Sequence, residues 1–267
     1  MPLLLWIILF TLLGGALSAL AASAFLTTPE SLRARLLPHL VSFATGALLG
    51  AALLGLLPHA IEGAGAANTH RVGMTLLAGL LVFFVLEKLV LWRHCHQDVC
   101  EGHHHAHDEH RDAASASLIL IGDGFHNILD GVLIAAAFMT DVHLGIVTAL
   151  AVITHEIPQE VGDLAILLHG GMSRAKAFAL NLFTSLTSVI GGVGAYFALA
   201  PIQHLLPYAL AIAASSFLYI AVADLIPGLH RRVDAGSGVK QFVLIVLGIV
   251  VIFFTPALSH WREGLRE

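Results

Sequence analysis

The sequence is short of charge. Only 12% of its 267 residues are Asp, Glu, Lys or Arg, where a soluble domain carries roughly a quarter. Hydrophobic residues make up 57% and the mean hydropathy is +0.86. That balance excludes an ordinary soluble fold and marks a chain that lives in a lipid bilayer. The 13 basic residues are scattered between apolar runs, which excludes a nucleic-acid surface. Two cysteines, Cys95 and Cys100, exclude a disulfide framework. The net charge of −5 says little, because 17 histidines are counted as neutral.

Long apolar runs take the place of charge. With about 20 residues needed to cross the hydrocarbon, eight spans are expected: Leu3–Leu26, His39–Ile61, Val72–Trp92, Ala113–Thr140, Val142–His169, Arg174–Leu199, Leu205–Leu229 and Lys240–Leu258. The expected fold class is therefore an all-α integral membrane protein, a helical bundle forming one domain over residues 1–267. Ala22-Ser23-Ala24 resembles a signal-peptide cleavage site. The first run lacks a basic n-region and is too long for such a peptide, so it reads as a span. Arg33, Arg35, Arg93, Arg111, Arg174, Arg231 and Arg232 fall in the loops after spans one, three, five and seven. The excess of basic residues there puts those loops in the cytoplasm and both termini outside.

Two of the spans carry what a bilayer tolerates least. Ile121–Phe138 reads IGDGFHNILDGVLIAAAF and Ile153–Leu168 reads ITHEIPQEVGDLAILL. A charged group near the bilayer centre costs about 2.5 to 3.5 kcal/mol on insertion scales, so such residues face a cavity and mark function. On a helix, Asp123, Asn127 and Asp130 share a face, and His126 stands i, i+4 from Asp130. Glu156, Glu160 and Asp163 repeat that spacing, as do His155 and Gln159. Two neighbouring helices thus each offer a stripe of imidazole and carboxylate, a ligand set that suits zinc or iron(II) better than calcium or magnesium. The metal site is expected between spans four and five. The ligands exceed the four that one tetrahedral zinc requires, which suggests two ions with Asp130 bridging. Pro158 removes a backbone hydrogen bond and predicts a kink beside these carboxylates.

Other polar groups are secondary candidates. His59 and Glu62 end span two on the outer side, where a cation would arrive. Asn181 could border the site from span six, whereas Ser188 reads as an interhelical hydrogen bond. Asp224, in ADLIPG near the end of span seven, is loosely matched by LLPHAIE in span two, a weak sign of an internal repeat. Gly46, Gly50 and Gly55 in span two, and Gly122, Gly124 and Gly131 in span four, predict close helix approach. Residues 93–112, RHCHQDVCEGHHHAHDEHRD, hold His94, His96, His103, His104, His105, His107 and His110. A tract so rich in His is a compositional metal-binding signal without the fixed spacing of a folded zinc site. It reads as a flexible cytoplasmic metal tether or sensor.

HNILDG at His126–Gly131, HEIPQEVGD at His155–Asp163 and FLYIAVADLIPGL at Phe217–Leu229 resemble the signature helices of the ZIP (Zrt/Irt-like) metal transporters. The resemblance covers essentially the whole chain, His-rich loop included. It implies no enzyme but uptake of zinc as substrate, often with iron, manganese or cadmium, into the cytoplasm through a binuclear site. By motif position His126, Asp130, His155 and Gln159 would form the primary site. Asn127 and Glu156, with Asp130 bridging, would form the second, and Glu160 matches a family residue whose ligand role is less defined. Two departures stand out. Many relatives have His where this chain has Gln159, a neutral and weaker ligand. Relatives of the His-rich subgroup often carry Asp and His in span two, where this chain has Ala51 and Gly55, so His59 would take over. The partners expected are divalent metal ions and the lipid bilayer, with no nucleic acid and a homodimer left open. A bacterial inner membrane is expected from the compact loops. Two other functions compete: a proton-coupled transporter of another solute, and an intramembrane metalloprotease, against which Gln159 breaks the HExxH pattern.

Overall fold

The computed structural model describes residues 2–95, 109–169, 171–230 and 235–263, and every regular element in them is helical. The chain runs through α1 (Leu3–Leu26), α2 (Glu30–Gly50), a π-helical segment (Ala51–Leu56), α3 (Leu57–Ala64), α4 (Thr69–Cys95), α5 (Glu109–Thr140) and α6 (Val142–His169). It continues through α7 (Arg174–Ser185), α8 (Thr187–Leu199), α9 (Leu206–Tyr219), a second π-helical segment (Ile220–Leu225), α10 (Ile226–His230) and α11 (Ala235–Glu263). All eight expected spans fall on helix. By length and apolarity six stretches of the described residues qualify to cross a membrane, one of them the 57-residue run Arg174–His230. A 3₁₀ stretch at Ala200–Leu205, with Ile202 at φ −127° and ψ 43°, breaks that run between α8 and α9. α6 is not among the six; it carries Glu156, Glu160 and Asp163, and it packs against α1, α2, α5, α7 and α11.

The packing is that of a membrane bundle, in which small residues let backbones meet. α5 lies along α8, and α2 along α11. Each pair is closed by a reciprocal glycine clasp. A Cβ on Gly131 would overlap the Ser188 carbonyl oxygen, and one on Gly191 the Ile128 carbonyl oxygen. In the same way Gly46 sits against the Ile245 carbonyl and Gly248 against the Phe43 carbonyl. The expectation of close approach therefore holds at Gly131 and Gly46. Gly124 makes only ordinary contact with Thr184, and Gly122 faces open space, so span four uses one of its three glycines this way.

Span six is not one continuous helix. Leu186 interrupts it, at φ −71° and ψ −12°. Thr184, Ser185, Thr187 and Ser188 each turn a hydroxyl back onto a carbonyl three or four residues earlier. Such bonds compete with the helical ladder and bend it. Thr187 also reaches the Gly124 carbonyl of α5 at 2.8 Å, and Ser188 the Thr11 carbonyl of α1 at 3.2 Å, the interhelical bond its position predicts. The loose similarity between spans two and seven has a structural counterpart. Each contains a six-residue π-helical segment with proline two positions beyond it, Pro58 and Pro227. π-helical turns inside α-helices are rare and cost regular hydrogen bonding.

Candidate metal centre

α5 and α6 form a hairpin joined only by Asp141, whose carboxylate accepts the backbone N–H of Leu144 at 2.9 Å and caps α6. This turn sets the depth of everything on both helices. His126 lies 15 residues before Asp141 and Glu156 lies 15 after it. At about 1.5 Å rise per residue the two motifs therefore stand level, side by side.

There they meet. His126, Asp130, His155 and Glu156 each offer a ligand atom, and the four atoms lie within 4.8 Å of one another. His155 Nε2 is 3.2 Å from Asp130 Oδ2 and 3.6 Å from Glu156 Oε1. His126 Nε2 is 3.4 Å from Glu156 Oε1 and 3.8 Å from Asp130 Oδ2. Four donors placed tetrahedrally around zinc at about 2.0–2.2 Å would stand about 3.3–3.6 Å apart. Asp130, His155 and Glu156 are each 1% exposed. Neither Nε2 and none of the four carboxylate oxygens makes a hydrogen bond. The other nitrogen of His155, Nδ1, lies 3.1 Å from the Ala151 carbonyl, which turns Nε2 toward the group. Buried ionisable groups that make no hydrogen bond are costly, and a divalent cation is a partner that this donor set fits.

A second group, Asp123, Glu156 and Glu160, has its ligand atoms within 4.8 Å of one another as well. Asp123 and Glu160 lie one helical turn beyond the first group, 18 residues before and 19 after Asp141. Glu160 is fully buried; Asn181 Nδ2 of α7 donates to one of its oxygens, and the single O–H of Ser185, shared with the Asn181 carbonyl, reaches the other. Asn181, expected to border the site, thus holds a carboxylate within it. Ser185 was not singled out as a site residue by the sequence, and its only signal is the i, i+4 spacing from Asn181.

The remaining expected residues sort as follows. Asn127 is buried, and its amide donates to the carbonyl and carboxylate of Asp123 at 3.1 and 2.9 Å. Gln159 is half-buried and stands beside the Asp123 carboxyl. Glu156, assigned by motif to the second site, is the residue that closes the first set of four. Asp163 is half-buried on α6 and belongs to neither group. His59 is half-buried with Nδ1 2.9 Å from the Gly55 carbonyl, and Glu62 is exposed; neither joins a group. Asp224 is exposed, on the second π-helical segment. His96, His103, His104, His105 and His107 lie outside the described residues. His94 and His110 fall on the ends of α4 and α5, where only the backbone is described.

The chain matches the family described as ZIP zinc transporter over residues 2–116 and 92–255. It is 32% identical to the zinc transporter ZIP13 of Pongo abelii over 228 residues, covering 81% of this chain and 66% of that one. It is 30% identical to human ZIP13 over 263 residues, covering 81% and 70%. It is 35% identical to human ZIP10 over 175 residues, covering 61% of this chain and 20% of ZIP10. The chain thus spans about two thirds of the length of its ZIP13 relatives. Matched from near its first residue to residue 255, and carrying the paired helix motifs at one depth, the chain belongs to the ZIP zinc transporter family.

Proposed function

We propose that this chain carries divalent transition metal, zinc first, across its membrane into the cytoplasm. His126, Asp130, His155 and Glu156 hold the ion in transit. One observation carries this reading: four buried donor atoms without hydrogen bonds, spaced like the corners of a tetrahedron, at the level where the two motif helices meet. The relatives are named zinc transporters, which supports the same cargo. The family is one of transporters, so the proteolytic alternative loses its ground. The paired donor groups also support metal over a solute moved by carboxylates alone. Iron(II), cadmium and manganese are further cargoes compatible with imidazole and carboxylate ligands.

In the working cycle the ion arrives from outside and exchanges water for the two imidazoles and two carboxylates. The helices bearing them then shift against the rest of the bundle and open the site to the cytoplasm. Asn127, Gln159 and Glu160 belong to the same polar seam, with Asp123, Asp163 and Asn181 around it. His59 and Asp224 are assigned to the approaches. The His-rich segment 93–112 receives the ion or senses its cytoplasmic level. The basic residues support cytoplasmic odd-numbered loops and external termini, and the compact loops favour a bacterial inner membrane. A homodimer is compatible with the broad apolar faces of α4 and α11, where Leu77, Leu81, Phe242 and Phe253 are exposed.

Zinc uptake into proteoliposomes tests the reading, with the intact chain compared to His126→Ala and Asp130→Ala. Saturable uptake that both folded variants lose is the expected result. No metal flux through well-folded intact protein would overturn it.

A further inference from the structure

We infer that a cavity at one end of α1, α6 and α7 binds an anionic phospholipid. Arg33 and Arg174 hold its phosphate, and part of an acyl chain lies against the apolar wall. The inference goes beyond the transport reading and uses none of the metal-holding residues. The cavity measures ≈ 390 Å³, within the range of small-molecule sites, about 300–1,000 Å³. Chain order explains its place. α1 ends at Leu26, α6 ends at His169 and α7 begins at Arg174, and the three helices pack on one another. Leu26, Leu164, Leu168, Ala177 and Phe178 make the wall apolar. Two arginines line the same space and, among the described residues, no acidic one does. Cationic groups beside an apolar wall suit an amphiphile better than a free ion or a purely apolar ligand.

The cationic side is built. Arg33 comes from the start of α2, and its Nη1 donates to the Leu26 carbonyl at 2.6 Å and the Thr28 carbonyl at 3.2 Å. Those bonds anchor the guanidinium at the end of α1 and leave Nε and Nη2 with donors to spare. Arg174 opens α7, where Ser173 caps the helix by accepting the Lys176 N–H at 3.4 Å. The positive end of the α7 dipole adds to the charge of the side chain. Among the described residues neither arginine pairs with a carboxylate. A guanidinium fork matches the oxygens of a phosphate two at a time. Ser23 of α1 lines the cavity as well, and its Oγ is buried without a hydrogen-bond partner. Serines in apolar helices ordinarily bond back to a carbonyl one turn earlier, as Ser18 does at 2.6 Å. Ser23 does not, so a hydroxyl donor is left over in the wall.

Position selects a lipid over free phosphate. Helix ends mark the boundary between hydrocarbon and water, the depth at which phospholipid headgroups lie. With the basic loops cytoplasmic, this boundary faces the leaflet whose surface potential is negative, and basic pockets between membrane helices on that side suit anionic headgroups. The cavity also touches the helices of the metal centre. Ala177 stands in its wall, and one turn deeper on α7 Asn181 donates to Glu160. Leu164 stands one turn from Glu160 on α6. A lipid seated between Arg33 and Arg174 therefore braces the ends of the two helices whose contact aims that carboxylate.

The test uses the full chain in dodecylmaltoside micelles without metal, titrated with phosphatidylglycerol or phosphatidylcholine, and native mass spectrometry counts the lipid retained. One phosphatidylglycerol should be held in preference to phosphatidylcholine. Arg174→Gln should weaken that binding at least about fivefold. Arg33→Gln should weaken it about tenfold or more. Arg33 also supports the end of α1, so the exposed Arg174 decides the matter if Arg33→Gln fails to fold. Ala165→Phe, which fills the apolar side of the cavity, should displace the lipid too. Arg35→Gln, in the same loop but outside the cavity, should change nothing. Equal retention of the two lipids overturns the inference, as does binding that survives Arg174→Gln or falls equally in Arg35→Gln. Inorganic phosphate that displaces the lipid at equal concentration would make this a free-phosphate site and overturn it as well. A chain that holds phosphatidylglycerol through these arginines yet moves no zinc would sustain the inference and sink the transport reading alone.

Discussion

His155 Nε2 stands 3.2 Å from Asp130 Oδ2, across the seam between α6 and α5, and neither atom makes a hydrogen bond. The contact joins the two signature motifs, and the other polar groups near its two atoms include Glu156, 3.6 Å from His155 Nε2, and His126, 3.8 Å from Asp130 Oδ2. A cation that binds there stabilises the folded state by mass action, about 2.7 kcal/mol at a hundredfold excess over Kd. Zinc should therefore raise the thermal unfolding temperature of the detergent-solubilised chain. Asp130→Asn should remove most of that rise, and an undiminished rise in the variant would place the ion elsewhere.

Gln159→His adds an imidazole beside Asp123. Imidazole favours zinc, whereas carboxylate and amide oxygens tolerate manganese. The variant should bind zinc more tightly and lose ground on manganese, read by competition calorimetry. Unchanged selectivity would mean that residue 159 does not face the ion.

Acid should slow uptake. Every imidazole and carboxylate in the two groups must be deprotonated to bind metal, so protons and metal compete. Initial zinc uptake, measured over a series of external pH values, should fall as the solution is acidified. Uptake that climbs with external acidity would point to a proton-driven cycle.

Gly131→Ala drives a methyl group into the Ser188 carbonyl. The helices must separate, at about 1–3 kcal/mol for an overpacked contact. Gly162→Ala meets nothing within 4 Å and should be neutral or stabilising by up to ~1 kcal/mol. Unfolding in mixed micelles compares the two, and equal stabilities would refute the clasp.

The signature pair was legible because charge inside an apolar run has so few explanations. Its depth matching was legible too, once the α5–α6 turn was known to be a single residue. What the sequence hid were contacts between distant positions. Glu160 meets Asn181 and Ser185 from 21 and 25 residues away, and no periodicity reports that. Motif position places Glu156 in the second site, and it does not report that the same carboxylate also reaches the first group of four. The interruption at Leu186 leaves no periodic signal, because it comes from the hydroxyls of Thr184, Ser185, Thr187 and Ser188 bonding backward onto the helix. The π-helical segments leave no compositional mark, although the prolines two residues beyond them do.

The glycine clasps bear on genetics. A collision between two side chains can be relieved by trimming the partner, so Gly55 facing Leu144, or Gly63 facing Pro207, would have suppressors at those partners. At Gly131, Gly191, Gly46 and Gly248 the partner is a main-chain carbonyl, which no mutation can shorten. A selection for revertants of Gly131→Ala should return glycine itself and almost nothing else.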